Sequence, residues 1–164
     1  MDHLWAPWRI EYILSKKEGE CIFCVKPSRK EDRKRLILYR SKCSIIMMNR
    51  FPYNSGHLMV APMKHTGNPE ELTPKELGDL SVLLRTSITL LRRAINPHGF
   101  NIGMNIGQIA GAGVTDHLHF HVVPRWSGDT NFMPILSDTT VVPESLDKTY
   151  EKLFSVLETM HCEG

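Results

Sequence analysis

Long apolar runs are missing from this 164-residue chain, and with them any segment suited to cross a membrane as a helix. The opening Met1-Asp2-His3-Leu4-Trp5 has neither the basic start nor the apolar stretch of a secretory signal, so a soluble cytoplasmic protein is expected. Charge of one sign is scarce as well. Twenty Lys and Arg against 18 Asp and Glu leave a net charge of +2, too little to argue for duplex nucleic acid as an obligatory partner. Arg29-Lys30 and Arg33-Lys34-Arg35 are local clusters that can attract phosphates, although a solvated basic loop is the better explanation of them. Repeats, low-complexity tracts and a domain boundary are all lacking. With 41% hydrophobic residues, 1–164 fits one domain able to bury a substantial core.

Only four cysteines are present, which does not suggest a disulfide framework in a reducing compartment. Their spacing says more than their number. Cys21-Ile22-Phe23-Cys24 is a C-x2-C pair, suited to tetrahedral metal or to redox exchange. A redox motif would want a strand-to-helix setting, and charged, irregular surroundings here favour metal. Cys43 reads as a packed thiol and Cys162 as an exposed tail residue.

The pattern of elements predicts an α+β chain: an antiparallel sheet of about five strands, one main packed helix and a C-terminal helix. Leu36–Tyr39 and Cys43–Met48 read as a hairpin, and His57–Ala61 as a third strand closed by Pro62. Thr73-Pro74-Lys75-Glu76 carries a capping Thr, a Pro at the first helical position and a Glu three residues after the cap. Leu77, Leu80, Leu84, Ile88, Leu91 and Ile95 then form an apolar stripe, with Pro97 and Gly99 expected to end the helix. Phe100–Asn105 reads as the next strand. Pro143 is expected to open a final helix with Leu146, Tyr150, Leu153, Phe154 and Leu157 facing inward.

Residues 117–123, His-Leu-His-Phe-His-Val-Val, are the most informative segment. In a strand spanning them, His117, His119 and His121 share one face while Leu118, Phe120 and Val122 cover the other. Pro124 follows and would end the run at a sheet margin. Three imidazoles in register can form a metal platform, or can divide the labour of nucleophile, proton donor and ligand. The Gly-rich stretch Asn105–Thr115 leads straight into them, which favours the second option. Its backbone N–H groups can cradle an anion, with Asn105 and Gln108 adding directed polar contacts.

These residues resemble the histidine triad (HIT) superfamily of nucleotide hydrolases and transferases. The resemblance rests on the 117–123 motif, on Asn49, Pro52, Gly56-His57-Leu58-Met59-Val60-Ala61-Pro62 and His65, and on Asn105; it spans roughly residues 20–126. Leu4-Trp5-Ala6-Pro7-Trp8-Arg9, the C-x2-C pair and the tail 124–132 are similar to a bacterial branch that includes diadenosine tetraphosphate phosphorylases. What the resemblance implies is a single HIT domain, with N- and C-terminal extensions around the core, acting through a covalent nucleotidyl-histidine.

By position, the resemblance makes His119 the nucleophile at an α-phosphorus and His121 the group that bonds phosphoryl oxygens or assists departure. His117 either supports the nucleophile or, as in bacterial relatives, joins Cys21, Cys24 and His65 around a structural zinc; His57 and His98 are less suited ligands. Asn49 would hold ribose hydroxyls and Phe51 would contribute to the base pocket, with Ile45, Met47 and Leu58 as further apolar candidates. Asn105 and Gln108 would touch phosphates, with Gly111, Gly113 and Thr115 in the same approach. One departure stands out. Many HIT proteins carry Gly-Gln-Ser/Thr-Val before the triad, whereas this chain has Gly111-Ala112-Gly113-Val114-Thr115-Asp116, leaving more room for a second phosphate or inorganic phosphate. Arg125, Trp126 and Asn131 could reach over the site or across a dimer, and the resemblance implies a homodimer or higher assembly. The implied activity is cleavage of dinucleoside polyphosphates, most sharply phosphorolysis to ADP and a nucleoside triphosphate. A nucleoside phosphoramidate or adenylyl-conjugate hydrolase is the nearest alternative, and a nucleotide-binding protein with little turnover is a different class.

Overall fold

The computed structural model describes residues 21–25, 28–129 and 145–162, and of residues 161 and 162 only the backbone. The segments Leu4–Arg9 and 130–144, with Asn131 and Pro143, lie outside the described residues. Five strands form one antiparallel sheet: β1 (Ile37–Arg40), β2 (Ser44–Met48), β3 (Leu58–Pro62), β4 (Gly99–Met104) and β5 (Phe120–Arg125), in the order β1-β2-β3-β5-β4. Among the described residues two α-helices, α1 (Pro74–Ile95) and α2 (Leu146–Cys162), join the sheet in the expected α+β architecture. Among the described residues no helix is long and apolar enough to cross a membrane.

Alternation along the strands sorts the side chains onto two faces. Ile46 and Met48 of β2, Leu58 and Val60 of β3, and Val122 of β5 join Leu80, Leu83, Leu90 and Leu91 of α1 and Tyr150, Leu153 and Leu157 of α2 in the main core. Ile45, Met47, Met59 and Ala61 point the other way and pack beneath Phe23. One sheet face therefore carries the helices and the other receives the segment that contains the C-x2-C pair. Tyr150 anchors α2 by donating its hydroxyl to the Ile37 carbonyl at 3.0 Å.

The start of α1 is as expected: Thr73 and Glu76 form a reciprocal capping box with Pro74 behind the cap. Its end and its stripe differ. Asn96 takes the left-handed C-cap conformation (φ 45°), a role its short polar side chain tolerates, so the helix stops before Pro97. The buried stripe runs through Leu80, Leu83, Ser87, Leu90 and Leu91, whereas Leu77 in the first turn is exposed. Ser87 is tolerated inside because its hydroxyl donates to the Leu83 carbonyl at 2.8 Å.

The histidine segment also needs correction. β5 begins at Phe120, so His117 and His119 precede the ladder; the pairing with β3 starts at Val60 opposite Phe120. Ahead of it the backbone is held otherwise, with the Leu118 N–H donating to the Thr66 carbonyl at 2.8 Å. The alternation of faces survives: Leu118 packs in the helix-side core while His117 and His119 lie on the opposite side with Phe23. Nor does Pro124 end the strand. It sits beyond Val122, the last β5 residue paired with β3, and faces Phe100 of β4 inside the ladder.

Gly56 closes the loop before β3 with φ +77°, and a Cβ there would lie 2.6 Å from Ile95 Cδ1. Gly56→Ala is expected to cost about 1–2 kcal/mol for the left-handed backbone. A thermal melt should show the loss as a drop of roughly 2–8 °C in Tm.

Candidate active site

Each of the three histidines has its ring proton fixed by the backbone. The carbonyl of Pro62 lies 2.7 Å from His117 Nε2, and a carbonyl only accepts, so Nε2 carries the proton and Nδ1 presents a lone pair. His119 is the reverse: Nδ1 donates to the His117 carbonyl at 2.9 Å, leaving Nε2 as the bare nitrogen. For His121 the chain is longer. The Tyr53 backbone N–H donates to His57 Nδ1 at 3.1 Å, so the proton of the neutral His57 ring sits on Nε2. That nitrogen lies 3.0 Å from His121 Nδ1, which accepts, and His121 is thereby a donor at Nε2. Three imidazoles within five residues thus present different nitrogens, which equips them respectively to ligate, to attack and to donate a proton.

Burial completes the difference. His119 is 5% exposed, and its removal from water pushes its pKa below the usual histidine value, outweighing the opposing bond to the His117 carbonyl. A neutral ring is the nucleophilic form. His117 is fully buried and is shifted the same way, again chiefly by burial.

His119 and His121 stand at one side of a cavity of about 220 Å³ whose other walls include Ile22, Phe23, Met47, Asn49, Phe51 and Gly113. A second cavity of about 370 Å³ is lined by His121 together with Tyr53, Asn101, Asn105 and Arg125. His121 and Tyr53 belong to both. Asn49 reaches the first cavity while its Oδ1 accepts from the Phe51 N–H at 2.9 Å and its Nδ2 lies 3.4 Å from His57 Nδ1. Of the apolar candidates, Met47 and Phe51 line this cavity, whereas Ile45 and Leu58 are plain core.

The Gly-rich approach is only partly brought to the site. Gly113 lines the first cavity and Asn105 the second, where Asn105 Nδ2 donates to the Gly111 carbonyl at 3.3 Å. Gln108 is exposed and lines neither cavity, and the N–H groups of Gly111 and Ala112 are used within the loop, on the carbonyls of Gln108 and Gly107. Thr115 is turned elsewhere: its hydroxyl donates to Asp116, and its carbonyl lies against Gly67. Arg125 pairs with Asp129 through two nitrogens and donates to Asn101 Oδ1 at 2.9 Å.

Cys21, Cys24, His65 and His117 converge so that their donor atoms all lie within 4.8 Å of one another. Neighbouring separations are 3.4 Å for Cys21 Sγ to His117 Nδ1, 3.3 Å for Cys24 Sγ to His65 Nδ1, 3.7 Å for Cys24 Sγ to His117 Nδ1, and 3.2 Å for the two Nδ1 atoms. A tetrahedral zinc site with metal–sulfur bonds of about 2.3 Å and metal–nitrogen bonds of about 2.0–2.1 Å has edges of roughly 3.3–3.8 Å. The donor set fits. The Pro62 carbonyl also supplies the outer-shell partner that orients a metal-binding imidazole. His57 is occupied in the chain to His121, and His98 Nδ1 accepts from the Ser127 N–H at 2.9 Å, so neither joins the cluster.

Sequence reasoning weighed His57 only as a less suited metal ligand and Arg35 only in a basic cluster, and it gave Phe23 no role. His57 is fully buried, and the alternation that turns Met59 and Ala61 toward the histidine face turns His57 there too, so the signal was in the strand's own period.

The family model described as the HIT domain matches residues 29–128. The chain is 34% identical over 157 residues to an AP-4-A phosphorylase of Mycobacterium tuberculosis, covering 91% of this chain and 80% of that one. It is 31% identical to the asymmetrical bis(5'-nucleosyl)-tetraphosphatase of Schizosaccharomyces pombe, over 75% of this chain and 64% of the relative. Among solved structures, a zinc-bound histidine triad family protein from Mycobacterium smegmatis shares the fold with a TM-score of 0.64 at 21% identity, over 79% of this chain and 88% of the other.

Proposed function

The chain belongs to the HIT domain family, and from that premise we propose that it cleaves dinucleoside polyphosphates at an α-phosphorus, with phosphorolysis of diadenosine tetraphosphate to ADP and ATP as its reaction. The observation that carries this reading is the ring orientation of His119, whose Nδ1–H is spent on a carbonyl while its bare Nε2 belongs to a side chain lining the cavity. In the first step that lone pair attacks the α-phosphorus of one adenosine end. The bond from phosphorus to the bridging oxygen breaks and ATP departs with the electron pair, while the Nε2–H of His121 donates to the oxygens that gain charge. In the second step an oxygen of inorganic phosphate attacks the same phosphorus. The phosphorus–nitrogen bond breaks, ADP leaves, and His119 regains its lone pair.

Asn49, with Phe51 and Met47 beside it, is the side chain suited to ribose hydroxyls, since a carboxamide can serve two vicinal hydroxyls at once. Asn105 and Arg125, which share the second cavity with His121, suit the departing phosphates. When bound at Cys21, Cys24, His65 and His117, zinc would supply a closed structural cross-link, leaving the reaction to the histidines. We read residues 1–164 as one domain with its core at about 20–126, working in the cytoplasm with no obligatory nucleic acid and no membrane. We include a homodimer in this reading; it is supported by β4, which among the described residues is an edge strand, Gly-Phe-Asn-Ile-Gly-Met, with no charge or proline to discourage pairing with a second copy.

The test is incubation with diadenosine tetraphosphate with and without inorganic phosphate, with products resolved by chromatography. ADP and ATP appearing only with phosphate are expected. AMP and ATP formed without phosphate would make water the acceptor, and absence of turnover would redirect the search to phosphoramidates and adenylyl conjugates.

A further inference from the structure

The two residues enclosed by the cysteine pair are not spacers. Phe23 is fully buried, and its ring stacks on the imidazole of His119 with centroids 4.6 Å apart and planes inclined by 26°. The same ring lies 5.3 Å from His117. Beneath it are Ile37, Ile45, Met47, Met59 and Ala61, so Phe23 roofs the apolar layer on the histidine side of the sheet. Both Phe23 and its neighbour Ile22 line the cavity that His119 enters.

The segment carrying this ring is held from two directions. Cys21 and Cys24 reach the four-donor cluster. On another side, Arg35 Nη2 donates to the carbonyls of Ile22 and Cys24 at 3.2 Å each and of Cys21 at 3.4 Å. A turn tied at both cysteines and at three carbonyls holds Phe23 in place far better than its own rotamer preference would. An imidazole pivots about two side-chain torsions, and the single bond from His119 Nδ1 to the His117 carbonyl fixes only one edge of its ring. Contact across the ring face removes the remaining freedom.

We propose that Phe23 is a positioning residue for His119, and that the cysteine turn thereby forms part of the reaction pocket as well as a metal ligand loop. This rests on the reading of His119 as the nucleophile. Phe23 does not touch the reacting atoms; it holds the attacking nitrogen on line with the phosphorus and keeps water off the ring. Misplacement of a reacting group by about 1 Å costs about 10²-fold in rate.

The experiment compares Phe23→Ala and Phe23→Leu with the wild type, all as metal-loaded full-length protein. It measures kcat and KM for diadenosine tetraphosphate, affinity for AMP, metal content, and the rate at which diethyl pyrocarbonate acylates His119, read by peptide mass spectrometry. Phe23→Ala should lose about 10²-fold in kcat, a larger effect than on KM or AMP affinity, which change only by what one lost cavity-wall contact accounts for. His119 should become more reactive toward the reagent, with metal still bound. Phe23→Leu, which fills the space, should recover most of the loss. An unchanged kcat in Phe23→Ala would overturn the proposal, as would a loss that follows metal content and is not rescued by leucine. If the wild type does not turn over this substrate, the failure lies in the proposed reaction; the acylation rates still decide the role of Phe23, equal rates in all three proteins counting against it.

Discussion

Replacing His119 with alanine is expected to lower diadenosine tetraphosphate cleavage by about 10⁴-fold or more, the scale on which removal of a covalent nucleophile acts. No neighbour can substitute. His121 offers a protonated Nε2 because His57 occupies its Nδ1, and the lone pair of His117 is turned toward two cysteines. The variant should retain full metal content, since His119 is outside the four-donor cluster. It should also lose the nucleotidyl-protein intermediate that rapid acid quench with radiolabelled substrate would trap in the wild type. Activity above about one hundredth of wild type would exceed what an oxyanion-stabilising pocket provides alone and would mean direct attack by phosphate or another nucleophile.

Cys24→Ala is expected to have the largest effect on stability. Its sulfur approaches both imidazole ligands, His65 at 3.3 Å and His117 at 3.7 Å, so its removal opens the cluster at the centre. Structural zinc sites bind with apparent free energies of about 10–16 kcal/mol, comparable to or larger than the whole net stability of a typical domain. Even a third of that would lower Tm by roughly 10 °C in a chain of this size. Elemental analysis should show metal lost from the variant. A melt of wild-type protein with a strong chelator should fall to the variant's temperature, while the variant itself should not respond. A wild type indifferent to chelator would remove the metal from the account.

How much of this was readable beforehand differs by element. The capping box at Thr73 and Glu76 is written within four residues, and the structure has it. The triad's division of faces was equally legible, because Leu118 and Val122 against His119 and His121 is a period-two pattern that survives even where the ladder does not extend. The start of β5 was not legible, for it depends on where β3 ends and on Thr66 taking the Leu118 N–H. The left-handed cap at Asn96 was overshadowed by the stronger helix-breaking signals of Pro97 and Gly99. The cysteine pair pointed to metal, but its partners at 65 and 117 came only through family resemblance, since nothing local links residues so far apart in sequence. Phe23 was invisible for the same reason: an aromatic between two cysteines does not announce the ring it will meet.

The cluster joins Cys21 to His117 across a separation of 96 residues, which fixes an order of assembly. Arg35 follows Cys24 by 11 residues and His65 follows it by 41, whereas His117 comes only after 93. The β1–β2 hairpin and β3 can form in that interval from neighbouring sequence, whereas the turn's final geometry must wait until residue 117 is available. Closing so long a loop carries an entropic cost that grows only slowly with length, and it is met at once by four donors rather than gradually. The reaction pocket is therefore closed late: β5, which pairs with both β3 and β4, has to be in place before either cavity gains its His121 wall.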